Sequence, residues 1–232
     1  MSSSPSAQHA VWLPPAIAVA LVIALALLVN SQVTDAFDHA VIGFVRDPGR
    51  DGLLAPLGWI TQLGSTLAVV AVAAAIVGIG WTAGRPRTAM IGGLTIGIGS
   101  LIISVLKRVM QRARPDLLDP VIVETGFSFP SGHAANAMVA YGIAAVVIGR
   151  LPAPRWARVS AQAVLAVLVF LIGLSRVWLG VHYPTDVIAG WLIGSVAVLA
   201  YAELSRPGQP GRGAEVAGVG RGAPRSDPPA AA

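Results

Sequence analysis

An all-α fold, a polytopic membrane bundle of six transmembrane helices, is what this sequence predicts, and three observations predict it. Hydrophobic residues make up 55% of the 232 positions and charged ones only 12%, and the mean hydropathy of +0.72 lies well outside the soluble range. Apolar residues gather into six runs, close to the roughly 20 helical residues that cross a hydrocarbon core about 30 Å thick. Basic residues without an evident chemical task fall mainly in alternate connections between those runs, as the positive-inside rule requires of a multi-pass chain.

In chain order, residues 1–10 are polar and small, and Val11 to Val29 then runs for 19 residues without a charge. A secretory signal carries a basic region ahead of a shorter apolar core, yet no Lys or Arg precedes Arg46, so the run reads as a retained first helix. Phe37, Ala40, Val41, Phe44 and Val45 then recur at helical spacing with Asp38 and His39 off the stripe, which suits a short helix lying in the interface. His39 is expected as a solvated loop residue rather than a ligand. Five further spans are expected at Leu57–Thr82, Ala89–Val109, Gly132–Gly149, Ala157–Leu174 and Thr185–Leu204. Gly93 with Gly97, and Gly190 with Gly194, are small-x-x-x-small pairs of the kind that let membrane helices approach closely. The membrane domain thus covers 11–204, and residues 205–232, rich in Gly, Pro and Arg without apolar periodicity, are expected to be a disordered tail.

The formal charge of +5 arises from 16 basic against 11 acidic residues. Because the basic residues punctuate apolar segments instead of clustering on a polar domain, no nucleic-acid partner is expected. No cysteine is present, which excludes disulfides and thiolate ligands or nucleophiles. With the N-terminus cytoplasmic, one set of connections holds nine basic residues: Arg85, Arg87, Arg150, Arg155, Arg158, Arg206, Arg212, Arg221 and Arg225. The opposite set holds seven, of which Lys107, Arg114 and Arg176 have chemistry to do, as argued next. The expected orientation is therefore both termini in, in a plasma membrane, with the functional face outside. Trp12, Trp59, Trp81, Trp156 and Trp178 sit near span ends as interfacial anchors, and Trp191 is expected to pack.

Three polar signals interrupt the apolar chain between 107 and 186: KRVMQRARP (107–115), FPSGH (129–133) and SRVWLGVHYPTD (175–186). Ionisable groups are costly near a bilayer, so a functional site is the default reading. Lys107 and Arg114 are two helical turns apart, and Pro115 disfavours helix at Arg114, which should swing out so that two cations converge on one anion. Arg108 and Arg112 are read as snorkelling anchors. Ser131 is a natural N-cap after Pro130, and Gly132 and His133 follow where free N–H groups face an anion. Arg176 ends one helix and Pro184 starts the next, with Asp186 four residues after His182, close enough to hold one ring nitrogen and leave the other free as a nucleophile. The six-span topology brings all three signals to one membrane face.

With these residues in hand, the chain resembles the type 2 phosphatidic acid phosphatases, which share their active-site pattern with the vanadium-dependent haloperoxidases. The pattern Lys-x6-Arg-Pro, Pro-Ser-Gly-His, Ser-Arg-x5-His-x3-Asp is met without departure by Lys107, Arg114, Pro115; Pro130, Ser131, Gly132, His133; and Ser175, Arg176, His182, Asp186. The match extends over about 57–204. The resemblance implies that His182 attacks phosphorus, Asp186 orients it, and His133 protonates the leaving oxygen. Lys107, Arg114, Arg176, Ser131 and Gly132 would stabilise the equatorial oxygens. A neutral His182 and a protonated His133 predict a bell-shaped pH–rate profile.

No metal or other cofactor is implied, since the acids Asp116, Asp119, Glu124 and Asp186 are not spaced as a divalent-cation cluster. Asp116, Asp119 and Glu124 are read as loop solvation. The expected activity is metal-independent hydrolysis of a lipid phosphate or pyrophosphate whose hydrocarbon stays in the bilayer. Polyprenyl pyrophosphate, phosphatidate, phosphatidylglycerol phosphate and diacylglycerol pyrophosphate all fit, and an outward site favours the first. Phosphoryl transfer to an acceptor, vanadate-dependent peroxidation, and a non-catalytic lipid-phosphate binder or transporter are the alternatives; oligomeric state is left open.

Overall fold

The computed structural model describes residues 5–46, 52–116 and 122–206, with side chains from residue 13 onward. Among these residues there is no strand. Eight helices follow one another: α1 (Pro5–Asn30), α2 (Asp35–Val45), α3 (Leu54–Gln62), α4 (Thr66–Thr82), α5 (Pro86–Met110), α6 (Gly132–Gly149), α7 (Arg155–Trp178) and α8 (Pro184–Leu204). The expected tail beyond Arg206, together with Arg50 and Asp119, lies outside the described residues.

Helices α1, α5, α6, α7 and α8 are each long and apolar enough to cross a membrane. The sixth span departs from the sequence reading. Leu57–Thr82 was expected as one helix, but it is the pair α3 and α4, bent by 43°. Ser65 caps α4 by accepting from the Ala68 N–H at 3.4 Å, and the Tyr141 hydroxyl donates to the Leu63 carbonyl at 2.8 Å, satisfying an acceptor at the end of α3. Gly64 at the bend lies against α7 and α6: a Cβ there would be 2.5 Å from Ile172 Cγ2 and 3.3 Å from the His133 ring. Apolar composition could not reveal a break that lies between two apolar segments.

Helix α6 is the hub, packed by α4, α5, α7 and α8, with Ala134, Ala137, Ala140 and Ile143 fully buried. Its approach to α8 is close because of Gly190 and Gly194, where a Cβ would meet the Ser131 carbonyl at 2.7 Å and Met138 Cβ at 2.6 Å. The other small pair behaves differently: Gly93 touches Val77 of α4, whereas Gly97 faces open space. Outer faces are apolar and uncovered, as at Leu67, Leu94 and Val164, which suits a hydrocarbon surround. Trp59, Trp81 and Trp156 are exposed; Trp178, expected at the interface, packs beside the cluster of Ile42, Val45 and Val177, and Trp191 stacks on Phe170.

Helix α2 forms where the periodicity placed it, with Phe37 and Phe44 facing outward. His39, expected in a loop, is on this helix and meets the Tyr183 ring edge-on at 5.4 Å. The face that turns into the protein carries Ile42, Val45 and, fully buried, Asp38.

Candidate active site

The end of α5, the start of α6, the end of α7 and the start of α8 meet at one end of the bundle, and local chemistry sets each. Helix α5 stops at Met110 because Gln111 adopts a left-handed conformation, φ 47°. Lys107 is therefore on the last turn of α5, while Arg114 lies in the irregular segment that follows, out of the helix as Pro115 predicts. Ser131 caps α6, its Oγ accepting from the Ala134 N–H at 3.5 Å. Pro184 begins α8, and Asp186 in its first turn accepts from the Tyr183 N–H at 2.9 Å, so it is a helix cap as well as a partner of His182.

His182 is buried, its Nδ1 3.4 Å from Asp186 Oδ2 and 3.3 Å from Ser128 Oγ. Its Nε2 lies 3.2 Å from Arg114 Nη1. A guanidinium can only donate, so Nε2 accepts and the ring proton belongs on Nδ1, facing Asp186. Burial pushes His182 down to about 4, with Arg176 and Lys107 adding to the fall while Asp186 opposes it. The imidazole is thus neutral at physiological pH.

Around Nε2 stand the other cations. Arg114 also donates to the carbonyls of Val181 at 2.7 Å and Gly126 at 3.1 Å. Lys107 Nζ donates to the Phe127 carbonyl at 2.7 Å and the Ser128 carbonyl at 3.3 Å. Arg176, only 1% exposed, donates to Thr61 Oγ1 at 2.8 Å, and its buried Nε has no hydrogen-bond partner among the described residues. His133 lies within electrostatic reach of Arg176, Glu124, His182 and Lys107. A Cβ on Gly132 would make only ordinary contacts with Ile103 and Lys107. The structure thus brings Lys107, Arg114, Ser131, Gly132, His133, Arg176, His182 and Asp186 to one place.

Several residues here were misread or missed. Glu124, expected in loop solvation, forms ion pairs with Arg176 and, at 3.1 Å, with Arg114. Burial alone would raise its carboxyl; Arg176 and then Arg114 outweigh that and hold it below the ordinary carboxylate range. Arg112 is no snorkelling anchor: it is 12% exposed, donates to Asp186 Oδ1 and Asp38 Oδ2, each at 2.7 Å, and lies over the Tyr183 ring. Burial opposes its charge, but Asp186 and Asp38 more than compensate and raise it above its ordinary value. Ser128, Thr61, Thr185 and Asp38 were missed. Ser128 directly precedes the second motif and Thr185 sits inside the third, so proximity was the available signal; Thr61 and Asp38 are far away in sequence and had none. Among the described residues no group of three or more His, Cys, Asp or Glu is placed to hold a metal ion.

The model of the PAP2 superfamily matches residues 88–207, which contain every one of these motif residues. The chain is similar to phosphatidylglycerophosphatase B of Bacillus subtilis, 39% identical over 102 residues, 44% of this chain and 50% of that one. It is also similar to undecaprenyl-diphosphatase of Sulfolobus acidocaldarius, 38% identical over 119 residues, 47% and 52% of the two chains. The chain therefore spans about half the length of the curated relatives it matches. Among solved structures, the crystal structure of a transmembrane PAP2-type phosphatidylglycerolphosphate phosphatase from Bacillus subtilis superimposes with a TM-score of 0.73 at 28% identity, covering 81% of this chain and 93% of that one. An all-helical, multi-pass membrane fold and an unbroken set of motif residues converge on one assignment: the chain belongs to the PAP2 superfamily.

Proposed function

We propose that this protein is a membrane lipid phosphatase that hydrolyses a phosphate monoester or pyrophosphate of a lipid through a phosphohistidine. The observation that carries the reading is His182: buried, neutral, backed by Asp186 at Nδ1, and presenting Nε2 to a cluster of cations. Binding alone needs the cations but not an oriented, deprotonated imidazole.

In the first step Nε2 of His182 attacks phosphorus, the N–P bond forms as the bond to the leaving oxygen breaks, and His133 supplies that oxygen's proton. Asp186 holds the ring and stabilises the positive charge it acquires. Arg114, Arg176 and Lys107, with the Ser131 hydroxyl and the Gly132 N–H, stabilise the equatorial oxygens, where the charge of the transition state collects. In the second step water attacks phosphorus, the N–P bond breaks, and the proton lost by water returns to His133. The unpartnered Nε of Arg176 suits this role, as does Gly132: no protein contact demands a glycine there, so approach of a ligand to the helix start is the remaining reason for one. The side chains supply the positive charge, so the reaction needs no metal.

The substrate's hydrocarbon stays in the bilayer and its phosphate reaches the end of the bundle. Relatives named for phosphatidylglycerophosphate and for undecaprenyl diphosphate support that class. The excess of basic residues in the connections that hold Arg85, Arg150 and Arg206 supports an orientation with those connections and both termini in the cytoplasm and the site outside.

The test is phosphate release by purified protein in detergent with excess chelator, on polyprenyl pyrophosphate and phosphatidate in parallel, beside His182→Ala. Release that survives the chelator and falls by at least on the order of 10⁴-fold in the variant is expected. A variant as active as the parent would remove the nucleophile assignment, and hydrolysis of neither lipid would remove the activity.

A further inference from the structure

The structure assigns a positioning role to Arg112 and Asp38: a buried chain of hydrogen bonds runs from the short outer helix α2 through Asp38 and Arg112 to the carboxylate of Asp186, and so fixes the ring of His182. The inference rests on the reading of His182 as the nucleophile.

Asp186 is fully buried, and its two oxygens are used differently. Oδ2 accepts from the Tyr183 N–H, the Ser128 hydroxyl and His182 Nδ1, three groups from its own helix start and the segment before α6. Oδ1 accepts from Arg112. A carboxylate held at one oxygen can still turn about its Cβ–Cγ bond, and the long 3.4 Å contact with Nδ1 leaves little to lose. Arg112 at Oδ1 removes that freedom.

Arg112 is itself fixed from behind. Its Nη1 donates also to Thr185 Oγ1 at 2.8 Å, and its Nη2 donates to Asp38. Asp38 closes the loop by accepting from the Thr185 hydroxyl at 2.6 Å and the Thr185 N–H at 3.2 Å. A planar guanidinium gripped at both prongs, with its face 4.3 Å from the centre of the Tyr183 ring, has one orientation. Two fully buried carboxylates share this one cation, so removing it leaves both short of a partner. Ile42 and Val45 anchor α2 against Val177, Tyr183 and Val187 without help from Asp38, so attachment of the helix does not by itself require the buried acid.

Charge separates positioning from packing. The charged and titratable groups that face the His182–Asp186 pair and its arginine come from every side: Asp35 and Asp38 from α2, which pair with Arg112, and Lys107, Arg112 and Arg114 from α5 and the segment after it. Glu124, His133 of α6, Arg176 of α7 and Tyr183 complete the set. Removing Arg112's charge strengthens the negative field on His182, so its protonation moves to higher pH; removing Asp38's charge does the reverse. A loosened fold would not shift the two in opposite directions.

The experiment is kcat and KM against pH for Arg112→Gln, Arg112→Lys and Asp38→Asn, with His182→Ala alongside. Expected for Arg112→Gln is a kcat lowered roughly ten- to hundred-fold with KM within about threefold, and an acid limb of kcat/KM displaced upward by about half a pH unit. Arg112→Lys keeps the charge but not the two-pronged grip, so it loses kcat similarly while its acid limb stays in place. Asp38→Asn loses roughly tenfold in kcat, and its limb moves down. If the glutamine variant does not accumulate in the membrane, the asparagine and lysine variants carry the test. A raised KM with kcat kept would place Arg112 among the substrate contacts and overturn the inference, as would an unchanged kcat in all three. If instead His182→Ala is active, it is the nucleophile reading that fails.

Discussion

The two sides of the His182 ring are built on opposite plans. Behind Nδ1, the guanidinium of Arg112 is shared by Asp38 and Asp186, and Thr185, Ser128 and Tyr183 use up the remaining lone pairs. In front of Nε2, Lys107, Arg114 and Arg176 stand against the single carboxylate of Glu124, and Arg176 keeps a buried N–H without a partner among the described residues. The rear is a closed polar network with acid in excess, which rigidifies. The front has cation in excess and incomplete hydrogen bonding, the condition in which an anion is bound most strongly. The same stretch, residues 112–114, supplies one arginine to each side.

Four measurements break or sharpen that contrast, taken from the largest effect to the smallest. Arg176→Ala strips the front of its most buried cation, and activity on either lipid should fall roughly 10²- to 10³-fold, read as kcat/KM in detergent; a fall under tenfold would mean that the front does not stabilise the transition state through this residue.

Gly190→Ala acts on the frame that holds both sides together. Its new methyl would press on the Ser131 carbonyl and Ala134, the point where α8 touches the start of α6. Thermal unfolding in detergent should show a loss of about 1–3 kcal/mol, with activity falling alongside, because Ser131 and Asp186 are carried by the two helices being separated.

The pH profile reports the ring between the two sides. With burial holding His182 down to about 4, the proposed nucleophile is neutral above that value, so kcat/KM should rise with pH through about 4 and not through the ordinary histidine value of about 6.5. An acid limb near 6.5 would mean that the ring is more solvated, or its carboxylate partner closer, than the geometry implies.

Glu124→Gln gives the smallest effect and the sharpest test of the front. Glu124 competes with any anion for Arg114 and Arg176. Without its charge, inhibition by inorganic phosphate should tighten roughly three- to tenfold; weaker inhibition would assign the carboxylate to holding the cradle open instead of filling it.

The legible part of the site was the part with fixed local geometry. Asp186 was readable from its i,i+4 relation to His182 and its place after Pro184, and Ser131 from its position as a cap, because helix periodicity and capping act over a few residues. Arg112 was misread because its partners lie about 74 positions away at Asp38 and Asp186, and an arginine among other basic residues near a span end gives no sign of which acid it will meet. Glu124 was misread for the same reason: it sits in the segment between α5 and α6, and its meaning comes from Arg176 at the end of α7. The bend at Gly64 was invisible to hydropathy, since α3 and α4 are both apolar, and the tight fit of that glycine against Ile172 and His133 exists only in the packed bundle.

By itself, then, the sequence determined an all-helical bundle, the places where five helices run, and the end at which three polar signals gather. Those follow from the cost of an unpaired backbone in hydrocarbon and from the helix-starting chemistry of Ser131 and Pro184. Only the tertiary structure decided which carboxylate meets which guanidinium, that Asp38 of an outer helix backs the site, and that the second span is broken. Charge pairing over such separations depends on where packed helices bring side chains within about 3 Å, and no periodicity along one chain encodes that distance.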